Sequence, residues 1–290
     1  MSEYIQSKTI LSKLKGAPDP YFGITYNMNL YRGCQHQCIY CDSRSDVYGL
    51  GDFSHIRIKK NAPELLEKAL CTKRIKGTIG TGSMNDPYMP IEKKELLTKK
   101  AMQLIADYRY PVHVLTKSDL VVRDIDILKS IAKKYAAVSF TITAANDYLA
   151  GKIEPGAPVS SKRFKALNSL AKQGIYSGML LTPVLPYITD NIDNIRILIN
   201  RAVDNGAGYI IGWMGMTQRK GQREYYYQQL RQLFPGLQLK YQEKYGSQYS
   251  VSPENSKKLT AFFQEYCSQK NIPVRMHFYK ESIPEQMKLF

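Results

Sequence analysis

The stretch Tyr31-Arg-Gly-Cys-Gln-His-Gln-Cys-Ile-Tyr-Cys41 sets three thiols, Cys34, Cys38 and Cys41, within eight residues. It follows directly on Gly23-Ile-Thr-Tyr-Asn-Met-Asn-Leu30, which alternates like a strand. A cubane 4Fe-4S centre in an electron carrier normally takes four protein thiolates. Three on one short loop therefore point to an iron-sulfur cluster with one iron left open, and an open coordination position marks a catalytic rather than a structural metal. A tetrahedral zinc site needs a fourth ligand and usually draws on two separated pairs. His36 could supply it, but it lies between two of the cysteines on a tight loop, where reaching the same ion is difficult. Cys71 and Cys267 stand alone and read as small buried hydrophobes near helices. The chain is long and shows no secretory signal, so thiols in a reducing compartment are expected rather than a disulfide framework.

Downstream of the loop, strand and helix patterns alternate. Helical spacing is read at about 62–70, 92–108, 125–131, 164–171 and 192–202, and strand patterns at 75–80, 112–116, 137–143, 176–185 and 208–213. Pro63 suits a first helical turn, Asp124 and Ser160 or Ser161 are candidate N-caps, and Gly174 is placed to stop a helix. Counting the strand before the cysteines gives six βα-type units, which imply a parallel sheet with crossover helices. Six are too few for a closed eight-stranded barrel. The expected fold is α/β, a partial (β/α)6 TIM-like barrel whose C-terminal edge carries the cysteine loop and is open to ligands. Residues 1–22 are expected as an N-terminal arm, 23–217 as the core, and 218–290 as a helical C-terminal extension closing the barrel. Within the extension, helices are read near 223–234 and 254–269 and strand alternation at 274–279.

Hydrophobic content of 43% is that of an ordinary globule, and no apolar run approaches the roughly 18 to 20 residues that span a bilayer. A cytoplasmic protein with no membrane partner is expected. The 41 Lys and Arg against 25 Asp and Glu give a formal charge of +16, which attracts phosphate-bearing partners and makes nucleic acid a possible one. Much of the excess is Lys on helix surfaces, as in Glu92-Lys-Lys-Glu-Leu-Leu-Thr-Lys-Lys100, where solvation alone accounts for it. Tyr225, Tyr226, Tyr227, Tyr241, Tyr245 and Tyr249 could stack bases or point into the core. Glu154 and Arg163 either line the mouth of a site or cap a helix.

The loop, with Tyr40 just before the third cysteine, resembles the Cx3CxφC signature of the radical S-adenosylmethionine (SAM) superfamily. The resemblance implies that the open iron binds the amino and carboxylate groups of SAM, that an electron from the cluster cleaves the sulfonium, and that a 5'-deoxyadenosyl radical takes a hydrogen from substrate. A small redox protein such as flavodoxin or ferredoxin would supply the electron. Within the superfamily the chain is similar to the spore photoproduct lyase group over about residues 23–215. The similarity rests on Asn29-Leu-Tyr-Arg-Gly-Cys34, Gly82-Ser-Met-Asn-Asp-Pro-Tyr88, Thr116-Lys-Ser118, Val122-Arg-Asp-Ile-Asp126, Ile153-Glu-Pro-Gly-Ala-Pro158 and Pro183-Val-Leu-Pro186. By position, Tyr40 would touch the SAM adenine, while Asn85, Lys117 and Ser139 would hold its methionine or ribose part. An ammonium pairing with the SAM carboxylate suits Lys117, and uncharged hydrogen-bonding groups suit Asn85 and Ser139.

Two positions depart from that group. A cysteine that returns a hydrogen atom to product is replaced by Ser83, whose O–H bond is too strong for the role, and a relay tyrosine after the third cluster cysteine is replaced by Asp42. Thymine-dimer reversal is therefore not carried over, and the substrate stays open. Two further readings stand beside this one: a DNA-lesion lyase with a different hydrogen donor, and a non-catalytic iron-sulfur or zinc protein that binds nucleic acid.

Overall fold

A computed structural model describes residues 2–280; residues 281–290 of the expected C-terminal extension lie outside the described residues. Its strands are β1 (Ser2–Ile5), β2 (Leu11–Lys13), β3 (Ile24–Met28), β4 (Tyr31–Arg32), β5 (Ile56–Lys59), β6 (Thr78–Thr81), β7 (Val112–Thr116), β8 (Ala136–Thr141), β9 (Tyr176–Leu181), β10 (Ile210–Gly212), β11 (Met216–Thr217) and β12 (Ser250–Val251). Six of them run in the order β10-β9-β8-β7-β6-β3, every neighbouring pair parallel, with β2 antiparallel on the outer edge of β3. This is the open (β/α)6 half-barrel that the alternation implies. Strands β6 and β8 are buried along their whole length, as expected of a parallel sheet covered on both faces.

The N-terminal residues are strands too. Strand β1 adds parallel to β5, and β4 pairs antiparallel on the other side, so a small second sheet flanks the cysteine loop. Helices Ala62–Thr72, Leu97–Asp107, Ile125–Ala132, Ser160–Lys172 and Ile192–Asp204 form the crossovers. Their apolar stripes, for example Ile195, Leu198, Ile199 and Ala202, are fully buried against the sheet. Gly174, with φ near 73°, ends its helix in the left-handed region.

Several local expectations are corrected. The helix expected over 92–108 breaks at Leu96, whose φ is 53°. The break lets the buried Glu92 carboxylate accept from the Thr98 and Lys99 amides (2.9 and 3.2 Å), placing a negative charge at the new helix start. Asp124 makes no capping bond, because Arg123 engages its carboxylate at 2.8 Å. Ser160 and Ser161 are not caps either. Ser160 donates to the Ala144 carbonyl (2.6 Å), and Asp147, from the preceding short helix, accepts from the Ser161 amide (2.9 Å). Cys71 is exposed, whereas Cys267 is buried.

In the last part of the chain, helices Gln222–Leu233, Leu237–Tyr245 and Ser256–Gln269 account for most of the described residues. Tyr226, Tyr241 and Tyr245 are buried together there, while Tyr249 is exposed. Residues 274–279 do not form the expected strand. They run irregularly beneath the barrel: Met276 and Phe278 pack with Tyr135, Tyr176 and Tyr209 at the N-terminal ends of β8, β9 and β10, and the Tyr135 hydroxyl donates to the His277 carbonyl (2.8 Å). Among the described residues no helix is long and apolar enough to cross a membrane.

Candidate functional site

The cysteine loop needs two unusual backbone positions to turn so tightly. Gly33 has φ 79°, and a Cβ there would lie within 2.8 Å of the Phe53 and His55 carbonyl oxygens; Gln37 has φ 51° and donates from its amide to the Cys34 carbonyl at 2.5 Å. A second segment is laid against the loop. The Ile39 amide donates to Ile153 (3.0 Å) and the Gly156 amide to His36 (2.9 Å). A Cβ on Gly156 would sit 2.0 Å from the Gln35 carbonyl oxygen, so only glycine allows this approach. From the C-terminal side, the Gln222 amide donates to the Tyr40 carbonyl (3.0 Å). Asp42 accepts from the hydroxyls of Tyr48 and Thr217 (3.0 Å each) and pairs with Arg219 at 3.2 Å.

Two buried charge networks brace the loop. Glu154 and Arg163, both essentially without solvent exposure, form an ion pair at 2.5 Å. Arg163 also donates to the carbonyls of Pro158 (2.7 Å) and Thr141 (2.8 Å), and Glu154 accepts the Tyr40 hydroxyl. Burial pushes the Glu154 carboxyl up, but Arg163 and Lys117 outweigh it and hold the group below its ordinary range. Neither residue borders the cavity: Glu154 stands at the C-terminal end of the Asp147–Ile153 helix, and the pair anchors Tyr40 from behind.

Asp86 forms the other network. It accepts from the Tyr88 amide (2.9 Å), the Thr116 hydroxyl (2.7 Å) and the Lys117 amide (2.6 Å), and lies 3.3 Å from His36 of the loop. Burial acts against its charge, yet these donors bring its pKa down to about 2. Neither Asp86 nor His36 bears a local mark of this role beyond the Asp86-Pro87 pair that follows β6.

These elements enclose a cavity of about 350 Å³ at the C-terminal edge of the sheet, within the ~300–1,000 Å³ range of small-molecule sites. Cys34, Cys38 and Cys41 all border it, as do Tyr40, Asn85 and Lys117. Cys34 and Cys38 are buried and Cys41 is half-buried. Among the described residues no three His, Cys, Asp or Glu side chains are gathered as the ligands of a single metal ion. Thiols spaced around one hollow fit a cluster, in which each sulfur binds its own iron, better than a lone zinc. Burial, with Asp86 adding to it, pushes the Cys34 thiol up to about 12, so ionisation there depends on a bound cation.

Lys117 is half-buried, with Nζ 5.7 Å from the centre of the Tyr40 ring. Burial lowers its pKa, but Cys38 and Glu154 outweigh that and raise it, so the ammonium stays charged. Asn85 spends its amide nitrogen on the Tyr31 carbonyl (2.6 Å), which leaves the carbonyl oxygen as the group to offer a ligand. Ser139 is not brought to the cavity. It is fully buried one layer below, sharing hydrogen bonds with His113 Nε2 (2.7 Å) and the Tyr209 hydroxyl (2.6 Å). Thr141, two residues further along β8, borders the cavity instead. Phe22, Leu115 and Leu180 form the floor, and Trp213, 44% exposed, stands at the rim.

An open half-barrel with a three-thiol loop at its C-terminal edge defines a class, and the comparisons agree with it. The radical SAM superfamily model matches residues 28–199, and the chain belongs to the radical SAM superfamily. It is a radical SAM enzyme, with a 4Fe-4S cluster and SAM as its cofactors. A protein of Methanocaldococcus jannaschii is 36% identical over 193 residues, covering 66% of this chain and 72% of that one. The radical SAM Nalpha-GlyT isomerase of a Pseudomonas phage is 27% identical over 178 residues, or 61% of this chain and 36% of the isomerase. More narrowly, the fold is that of spore photoproduct lyase. The structure of that enzyme complexed with dinucleoside spore photoproduct superposes with a TM-score of 0.67 at 18% identity, covering 92% of this chain and 79% of that one.

Proposed function

We propose that Cys34, Cys38 and Cys41 are the ligands of the 4Fe-4S cluster and that Tyr40, Asn85 and Lys117 bind SAM. The observation that carries this reading is that all six residues border one cavity. When bound, the cluster supplies the electron that cleaves SAM and leaves a 5'-deoxyadenosyl radical to abstract hydrogen from substrate. Lys117 offers a charged donor to the SAM carboxylate, and the Asn85 carbonyl offers an acceptor to an N–H of its amino group. Glu154 and Arg163 fix the Tyr40 ring, and Thr141 presents a hydroxyl where β8 meets the cavity. Ser139 acts from below, through His113 and Tyr209, as a support for the floor. The apolar floor excludes water from a reactive radical.

The substrate in this reading is a nucleotide or nucleic acid, in keeping with the formal charge of +16. Flavodoxin or ferredoxin is the natural reductant, and the cytoplasm the natural location for an oxygen-sensitive cluster. Lesion reversal with a thiol donor is not part of the proposal. The Ser83 hydroxyl is donated to Asn27 Oδ1 at 3.0 Å, and among the described residues no thiol other than the three loop cysteines borders the cavity. The test is anaerobic reconstitution followed by dithionite and SAM. 5'-Deoxyadenosine is the expected product, and none from a protein with an intact cluster would overturn the proposal.

A further inference from the structure

A second cavity, of about 370 Å³, lies on the other side of Met84 and Asn85, which border both hollows. The N-terminal strands and their connection build much of its wall. Three lining side chains are cationic, Lys8, Arg32 and Lys59, and none is acidic. No carboxylate among the described residues pairs with any of the three. Lys8 and Arg32 are exposed at the mouth of the hollow, and Lys59 is half-buried within it.

Lys59 is half-buried and donates from Nζ to the Asn29 carbonyl (2.6 Å). Its pKa is lowered by burial and by the positive charge of Arg32. Like charges held around one hollow repel one another, and an entering anion relieves that repulsion. The partition between the cavities is thin, since Asn27 on this wall accepts from Ser83 on the other.

We propose that this cavity is a phosphate subsite, in which Lys8, Arg32 and Lys59 hold a phosphate group of the substrate while the attached nucleoside crosses Met84 and Asn85 toward the radical-generating cavity. The proposal rests on the catalytic reading of the neighbouring site. It narrows the substrate class to phosphate esters of nucleosides, free or in a strand.

Calorimetric titration of the reconstituted holoenzyme, without reductant, tests it with three probes: thymidine 5'-monophosphate, single-stranded hexathymidylate, and hexathymidylate with an uncharged methylphosphonate backbone. A charged probe should bind, more weakly as salt rises, and the uncharged strand should not. Preference for the monophosphate would assign a nucleotide substrate, and preference for the strand an internal phosphodiester. The double variant Lys8→Ala/Arg32→Ala should lose about tenfold in affinity per cation removed and, on the strand, about 0.7 of salt slope per charge. Lys99→Ala/Lys100→Ala, exposed and outside the lining of this cavity, should bind as wild type does. The proposal is overturned if no charged probe binds, if the uncharged strand binds as tightly, or if the two double variants behave alike. SAM cleavage by the wild-type protein is measured separately and without probe. Phosphate-dependent binding without cleavage would remove only the catalytic reading, and cleavage without such binding only the subsite.

Discussion

The two ends of the barrel interior, one opening into the cavity and one filled by side chains, are built from opposite materials. At the C-terminal edge, buried charge is matched by buried charge or by hydrogen-bond donors: Glu154 by Arg163, and Asp86 by Thr116, two backbone amides and His36. At the N-terminal end, Tyr135, Tyr176, Tyr209, Met276 and Phe278 fill the space. Next to them His113 is stacked on Phe22 at 4.8 Å, and its pKa is pushed down to about 3 by burial. The same strands serve both ends. Along β7 and one residue past it, His113, Leu115 and Lys117 lie in bottom, floor and cavity in turn, and along β8 Ser139 is below and Thr141 above. Two residues of strand, ~7 Å, separate a packing environment from a chemical one.

The comparison is most sharply broken at the upper end. Glu154→Gln leaves Arg163 buried without its charge partner, and should destabilise the metal-free protein by about 3–5 kcal/mol, read from anaerobic urea unfolding. A loss under 1 kcal/mol would mean that the ion pair is not buried in solution. Next, Lys117→Met removes a charge-assisted contact to the SAM carboxylate. It should weaken SAM binding by tenfold or more, about 1.5–3 kcal/mol, while urea stability changes little.

The lower end responds to pH instead. The folded pKa of His113 is depressed far below that of the unfolded chain, so between pH 6.5 and about 3 the unfolded state binds the extra proton. The contribution of this residue is complete above pH 6.5 and is lost as pH falls toward 3. Between pH 6.5 and 5, wild type should lose about 2 kcal/mol more than His113→Gln; parallel curves would show that the ring is protonated in the fold. The smallest effect is expected for Ser139→Ala, about 1–2 kcal/mol of stability from the polar partners it strands, with SAM affinity unchanged. A SAM-binding defect in this variant would return Ser139 to the cavity.

That last variant marks where the sequence was legible and where it was not. The six βα units could be read because strands buried on both faces and helices with apolar stripes leave strong local periodicities, as in Ala136–Thr141 and Ile192–Asp204. The three thiols could be read because their spacing is local. Whether a strand residue faces cavity or floor depends on how far each strand extends past its neighbours, and no local pattern records that. The N-terminal strands leave little local signal because Ser2–Ile5 and Leu11–Lys13 are short and exist only through partners 13 to 54 residues away. The break at Leu96 has no local signature, since the Glu92 carboxylate that accepts from the Thr98 and Lys99 amides lies within an otherwise helical pattern. At 274–279 the alternation of apolar residues was real, but those side chains fill the barrel base rather than a sheet.

The central claim, that the three thiols of one loop hold a cluster with an iron open to SAM, is tested most directly by electron paramagnetic resonance of the reduced, reconstituted protein before and after SAM is added. The account predicts the iron and sulfide of one 4Fe-4S cluster per chain and a spectrum that changes when SAM binds. A spectrum indifferent to SAM, or a preparation holding zinc and no sulfide, would contradict it.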